Sequence, residues 1–350
     1  MDINWNAIPP SLEDLLRGYA TVCSTRKLRL PDTISFDVLH QFLLNIILLN
    51  PFFEKYPPST QYQSRFWKWA IENLENKSVT EDDEIDERIL SYHVELMSKS
   101  SMSQATGFQP PLPSYMTYMW KCGAQFEHIT LKESRTTIES GTTGLKTWLA
   151  SLVLAHYLLS HPELVTSRSV LELGSGIGFL GIVTAFLQTQ TPSTSSKIFL
   201  TDVNTEVLAR CSENLTLPCN ASARHPALRV AQLDWFDAQE NGTAFQGLLD
   251  EASADLILGA DIVYDPSIIP PLVKTLQMAL ACEGAIALVA LTVRNEHTHT
   301  QFLEAASPVL SVELLKLELV DMATFWGILD LGDALPTQEV KVYRIMRQNR

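Results

Sequence analysis

The residues best suited to chemistry begin with Glu172, Gly174, Gly176 and Gly178, an E-x-G-x-G-x-G pattern set directly after the apolar run Ser169–Leu173. Glycines at that place let a chain leave a strand in a tight turn and approach a ligand without a Cβ in the way. Asp202 closes the next apolar run, Lys197–Asp202, where a carboxylate can accept hydrogen bonds from both hydroxyls of an adenosyl ribose. Gly176, Gly178 and Gly181 also satisfy G-x-G-x-x-G, so a nicotinamide or flavin dinucleotide is one reading and a purely structural turn another. A first glycine immediately after the strand suits S-adenosylmethionine better, because that cofactor has no pyrophosphate to cradle. Asp234 and Trp235 follow the third apolar run; the acid can accept from an adenine amine while the indole packs on the ring. A core-facing tryptophan is the plain alternative. Asp261 and Tyr264 stand three apart beyond the run that ends at Gly259, a placement for an active-site acid or for a turn-stabilising one. Trp148, with Leu145, Leu149, Leu152 and Leu159, reads by itself as core.

Other chemistries find little support. H-E-x-x-H, G-x-S-x-G and Walker A patterns do not occur. His297 and His299 alternate in a Thr-rich helix start, and no metal is expected there. The five cysteines are odd in number and scattered, with no C-x-x-C, which argues against a disulfide framework or zinc ribbon and for a reducing compartment. Cys211 and Cys219 read as buried thiols. The first thirty residues lack a secretory pattern. The most apolar stretch, Phe42–Leu49, falls far short of the roughly 20 residues a bilayer needs. The chain of 350 residues carries 26 Lys and Arg against 40 Asp and Glu, a formal charge of −14. That balance disfavours phosphate backbones and anionic membranes and admits a cationic substrate or basic partner. A soluble, cytoplasmic protein without direct nucleic-acid or membrane contacts is expected.

The elements that must position these residues are also legible. Short Val/Ile/Leu-rich runs at Ser169–Leu173, Lys197–Asp202, Leu228–Leu233, Ala254–Gly259 and Ala285–Thr292 alternate with helical patterns. This predicts an α/β fold with a parallel sheet, helices on both faces and ligands at the strands' carboxyl ends. Val312–Val320 and Val340–Met346 predict an antiparallel hairpin at one sheet edge. Residues 1–97 form a helical N-terminal region. Ser11 and Ser35 are candidate caps, Phe66, Trp67, Ile71 and Leu74 mark a third helix, and the acidic 81–87 stretch leads into a fourth. That stretch reads as a solvated loop or, more sharply, an acidic docking surface. The Ser, Gln, Gly and Pro of 98–114 predict a linker, which leaves 115–350 as the second domain.

With L-D-W (Leu233, Asp234, Trp235) and D-x-x-Y (Asp261, Tyr264) following the glycine pattern in order, the sequence resembles the seven-strand protein-lysine methyltransferases called methyltransferase family 16. Ile129–Ser134, the Ser140–Trp148 stretch and the Phe-Trp-Lys-Trp cluster at 66–69 resemble one branch, the eukaryotic elongation factor 2 lysine methyltransferases. The resemblance implies a Rossmann-like seven-strand S-adenosylmethionine-dependent fold. It implies cofactor contacts at Trp148, Gly174, Ser175, Gly176, Asp202, Trp235 and Ala260, beside Gly178 and Asp234 already expected from the pattern itself, with Asp261 and Tyr264 at the methyl-transfer end. It makes elongation factor 2 the expected protein substrate; a monomer is expected. Residues 187–196 and the segment between Trp235 and Asp255 read as loop expansions of the family pattern. In such an enzyme the lysine must first lose a proton, against a reference pKa of about 10.4. Asp261 favours the ammonium, so it is expected to dock and aim the lysine and not to act primarily as a base. Tyr264 would line the channel. The competing functions are methylation of another protein or a small molecule, an NAD-dependent oxidoreductase, and a non-catalytic cofactor-binding module. The helical region is expected to help recognise a large folded partner.

Overall fold

The computed structural model describes residues 8–105, 112–123, 125–136, 138–139, 141–191, 193, 195–240, 242–317, 325 and 339–348. The chain divides into two compact units, 1–136 with 324–330, and 137–323 with 331–350. Among the described residues no helix is long and apolar enough to cross a membrane.

The first unit is built from helices α1 (Glu13–Ala20), α2 (Phe36–Phe42), α3 (Pro51–Lys55), α4 (Thr60–Lys77) and α5 (Glu87–Ala105), followed by strands β1 (Ser114–Cys122) and β2 (Gln125–Glu133). Ser35 and Ser59 accept from the amides of Val38 and Tyr62 and cap α2 and α4, as such hydroxyls do at helix starts. Ser11 makes no cap. Pro10, with φ already fixed, opens a short 3-10 turn through Leu12, so α1 starts at Glu13. Of the predicted apolar face of α4, Phe66, Trp67 and Leu74 are fully inside with Leu12, Leu16, Leu39 and Leu43, while Ile71 is half-buried and Ala70 is buried beside them. Gln63 ties the helices together, accepting from the hydroxyls of Tyr19 and Tyr92 and donating to the carbonyl of Pro58.

Helix α5 continues through 98–105, the first part of the segment expected to be a linker, because Ser and Gln carry only small helix penalties. Residues 106–111, including Pro110 and Pro111, lie outside the described residues. The chain then enters the antiparallel β1–β2 hairpin, paired from Ser114–Glu133 to Cys122–Gln125. Tyr118 and Trp120 are buried on it against Phe325. The first unit thus reaches 136, past the composition boundary at 114.

The second unit holds α6 (Leu149–Ser160), β3 (Ser169–Leu173), α7 (Phe179–Gln190), β4 (Lys197–Asp202), α8 (Thr205–Leu215), β5 (Leu228–Gln232), α9 (Asp237–Glu240), α10 (Thr243–Ala252), β6 (Leu256–Ala260), α11 (Ile269–Ala279), β7 (Ile286–Thr292), α12 (Glu296–Ala306), β8 (Leu310–Leu314) and β9 (Val340–Arg347). Seven strands pair in the order β5-β4-β3-β6-β7-β9-β8. β3 to β7 are parallel, and β9 runs antiparallel to both β7 and β8. The two late strands form the antiparallel pair expected at one sheet edge, β9 joined to β7 and β8 outermost. β8 begins at Leu310, and 318–320 lie outside the described residues. Of the two expected loop expansions, the first has only 187–190 in helix, completing α7, whereas α9 and α10 occupy most of the segment after Trp235.

Burial follows the strand period of two. Leu171, Leu173, Phe199, Ile257, Ala287 and Val289 join one core with α9 to α12. Their alternates Val170, Ile198, Leu200, Leu256, Leu258 and Leu288 are equally buried on the opposite face, as a parallel sheet covered on both sides requires. The strand order reverses at β3, whose neighbours are β4 and β6, so a crevice opens at the carboxyl ends of these strands.

Phe66→Ala should destabilise the first unit by about 3–5 kcal/mol through the cavity it leaves. Lys68→Ala, two positions away on the solvent face, should stay within about 0.5 kcal/mol. Chemical denaturation of the two variants measures the contrast.

Candidate active site

Strand β3 delivers the chain into the crevice through Gly174 and Gly176, both with positive φ, at 65° and 52°. Side chains would be strained here, and they would also collide. A Cβ on Gly174 would lie 2.9 Å from Ile262 Cγ2 and 3.5 Å from the Trp235 ring, and one on Gly176 would lie 3.1 Å from the carbonyl oxygen of Gly144. The loop therefore gathers the L-D-W turn, the D-x-x-Y segment and the 141–147 loop around itself. Gly178 caps α7 and faces Cys211 and Leu215 of α8, so its missing side chain serves helix packing. Ser175 is buried, with its amide and hydroxyl both donating to the carbonyl of Thr201. It staples the loop to β4.

Asp202 ends β4 beside this loop. Its carboxylate accepts from the amides of Gly176, at 3.2 Å, and Asn204, at 3.0 Å. Burial pushes its pKa up, and the amides of Asn204, Gly176 and Val203 pull it partly back. Glu172, on β3 itself, is fully buried, and one of its carboxylate oxygens has no hydrogen-bond partner. Desolvation, then the neighbouring Asp202 charge, raises its pKa far above the usual carboxylate range, against the amide of Gly181. The neutral acid is the stable form of such a group. Burial above all pushes the Cys211 thiol up and keeps it an inert thiol.

Asp234 accepts from the amide of Phe236 and closes the turn after β5. Trp235 is half-buried against the core, its edge directed at Gly174. Ala260 ends β6, paired with Ala290 of β7. Asp261 then takes a left-handed conformation, φ 54°, tolerated by Asp better than by most residues. This turns its side chain toward the end of β7. Its carboxylate accepts from the amide and hydroxyl of Thr292, at 2.8 and 3.0 Å, and from Arg294, at 2.9 Å. The Arg294 guanidinium also lies 4.8 Å from the centre of the Trp148 ring. Trp148 is the N-cap of α6, not part of its apolar face, and its indole N–H donates to the carbonyl of Thr143. Tyr264 is exposed. Its phenol titrates above its ordinary value, first through partial burial and then through the carboxylates of Asp202 and Asp265.

Two clusters result: the glycine loop with Asp202, Trp235 and Ile262, and the acid Asp261 with Thr292, Arg294 and Trp148. Ile262 joins them. Thr292 and Arg294 are absent from the sequence expectations. Their signal was positional, since the residues just beyond the strand paired with β6 must arrive beside Asp261. The residues present suit a cationic nucleoside cofactor, with a carboxylate at the end of β4 able to accept from hydroxyls and an indole edge at the glycine loop.

Sheet order, crevice and loop define the Rossmann-like seven-strand methyltransferase class. A family model described as lysine methyltransferase matches residues 125–308. The chain is 34% identical over 262 residues to the protein-lysine N-methyltransferase EFM3 of Chaetomium thermophilum, across 71% of this chain and 73% of that protein. It is 32% identical over 273 residues to the protein-lysine N-methyltransferase EEF2KMT of Homo sapiens, across 75% and 73%. The chain belongs to the lysine methyltransferase family, and its activity is S-adenosylmethionine-dependent protein-lysine N-methylation. This sets aside the oxidoreductase and the non-catalytic module.

Asp202→Ala should weaken S-adenosylmethionine binding by about tenfold to a hundredfold, the worth of hydrogen bonds to a charged acceptor, as titration calorimetry would register. Glu172 titrates higher in the folded state than in the unfolded one. Its contribution is thus complete below the reference value of 4.5 and is lost as pH rises toward the folded value. Glu172→Gln, which mimics the neutral acid, should gain stability relative to the parent as pH climbs from 4.5, and denaturation curves across pH would show the widening gap.

Proposed function

We propose that this methyltransferase modifies a lysine of elongation factor 2, in the cytoplasm and as a monomer. The observation that carries this reading is the extent of its likeness to the relatives named EEF2KMT. The alignment with the human protein covers 75% of this chain, well beyond the 125–308 span of the family model. Part of the first unit is therefore shared with those relatives as well as the methyltransferase core. A role for that unit in recognising a large folded partner accounts for the shared length.

Bound S-adenosylmethionine supplies an electrophilic methyl group on a sulfonium. In this reading the chain's own residues bind and orient. Asp202 accepts from the ribose hydroxyls, and the edge of Trp235 borders the adenosyl moiety. The Gly174–Gly176 backbone sets how closely both approach, while Asp234 and Ser175 fix the turns that carry them. Trp148 and Ala260 border the same crevice. Asp261 aims the lysine amine for in-line attack, and Tyr264 lines its approach with a ring face that accepts a cation. Placement of this kind supplies much of a displacement's rate, and errors of about 1 Å cost on the order of a hundredfold.

Incubating the protein with labelled S-adenosylmethionine and cell extract should label one protein, with the label on a lysine of elongation factor 2. Label on a metabolite, a nucleic acid or other proteins alone overturns the substrate. Asp261→Ala should lower transfer by at least about a hundredfold with cofactor affinity unchanged within about threefold. A fully active Asp261→Ala protein overturns the assignment of that acid.

A further inference from the structure

The carboxylate that the reading above assigns to the acceptor lysine already has a cationic partner. Asp261 is nearly buried, with 7% of its side chain exposed, and Arg294 donates to its Oδ2 at 2.9 Å. Thr292 supplies two further donors, one to each oxygen. Arg294 is held on its other side as well. Its guanidinium lies 4.8 Å from the Trp148 ring centre, and Trp148 is anchored through its indole N–H to the carbonyl of Thr143. A planar cation between a carboxylate and an indole face is a fixed arrangement, more so for arginine than for the compact lysine ammonium.

This has a consequence for methyl transfer. An unpaired carboxylate within about 4–6 Å of the acceptor raises its pKa by roughly 1–3 units and so holds it as the unreactive ammonium. The remaining charges near this point do not offset that effect. Tyr264 and Asp265 lie on the same turn, and the Asp202 carboxylate acts on Tyr264. Across the small cavity beside Tyr264, about 100 Å³ in volume, stand Arg294 and His299. His299 of α12 is bonded to the Tyr343 hydroxyl of β9 at 2.8 Å. Its own pKa is lowered by burial and by Lys341, with Glu296 and Glu339 opposing, so the neutral imidazole is favoured near pH 7. Arg294 is the cation that contacts the acid.

We infer that Arg294 is a positioning residue for the reaction: by balancing the charge of Asp261 it lets that carboxylate aim the acceptor through a hydrogen bond from the neutral amine without trapping the lysine as an ammonium. The inference rests on the placement of Asp261 at the acceptor. Three donors leave lone-pair capacity on the two carboxylate oxygens, so one N–H of the amine can be received while Arg294 stays in place. The step itself is balanced in the ordinary way. The amine lone pair forms the new C–N bond, the methyl–sulfur bond breaks onto sulfur, and the proton lost before attack goes to solvent.

The test uses the full chain with an intact lysine-bearing protein substrate and follows single-turnover methyl transfer between pH 6.5 and 10. Arg294→Gln should keep S-adenosylmethionine affinity within about threefold. It should move the alkaline rise of the rate upward by about one pH unit or more, so that a deficit of about tenfold at pH 7.5 shrinks toward pH 10. Arg294→Lys, which restores the charge, should return the profile toward the parent's. In Asp261→Asn the shift on adding Arg294→Gln should vanish, because no carboxylate remains to be balanced. A deficit in Arg294→Gln that is equal at every pH and is not relieved by Arg294→Lys overturns the inference and indicates a purely structural role. So does a parental profile in Arg294→Gln. Parental turnover in Asp261→Asn alone would instead overturn the placement of Asp261, and the inference with it.

Discussion

The turn between β3 and α7 has no room for a side chain at three of its positions, and the rest of the second unit is arranged around that constraint. Gly174 lies against Ile262 and the edge of Trp235, Gly176 against the carbonyl of Gly144, and Gly178 against Cys211. Each contact brings in a different part of the chain: the segment after β6, the turn after β5, the loop before α6, and α8. A Cβ at Gly174 or Gly176 would push those segments apart as well as strain the backbone. The glycine motif is therefore more than a ligand cradle. It is the point on which four separately encoded segments close, and the crevice at the β3–β6 switch exists because they can.

Three acids stand at or beneath this crevice, and each is treated differently by its surroundings. Glu172 faces the α7 side of the sheet with an unpartnered oxygen and a charged neighbour, and desolvation keeps it protonated. Asp202 is buried less completely, and backbone amides offset part of the cost of its charge. Asp261 is paired outright with Arg294 and Thr292. A motif that reads as three similar carboxyl groups thus becomes a neutral structural acid, an amide-supported acceptor and a compensated ion pair. Environment, not residue type, makes the difference.

The parallel strands were legible because both faces of the sheet are covered. Continuous apolar runs such as Ile198–Leu200 and Leu256–Leu258 leave little else to be, and their carboxyl ends located Asp202 and Asp261 in advance. What could not be read was set by partners distant in sequence. Thr292 and Arg294 reach Asp261 across a strand pairing, β6 with β7, that no local periodicity encodes. Trp148 taken by itself reads as core because Leu149, Leu152 and their neighbours follow it, and only the family resemblance marks it as a site residue; the helix begins one residue later and leaves the indole for Arg294. The β1–β2 hairpin escaped notice for a different reason. Its aromatic residues Tyr115, Tyr118 and Trp120 have high strand preference, but they follow a Pro-rich stretch that reads as a linker, and Tyr118 and Trp120 are buried against Phe325, some two hundred positions away in sequence.

The net charge of −14 and the chemistry make opposite demands on the acceptor. An acidic surface draws a cationic lysine toward the protein and accelerates encounter. The same negative potential, if it persisted at the point of transfer, would hold the proton on the amine and oppose the reaction. The two demands can be met together only if the charge at the reacting end is compensated locally. The Arg294–Asp261 pair does this within one contact, and the indole of Trp148 keeps the compensating cation there. With Asp261 at the acceptor, as proposed above, encounter can be driven by the field of the whole molecule, while the reacting amine meets a hydrogen-bond acceptor whose charge is already balanced.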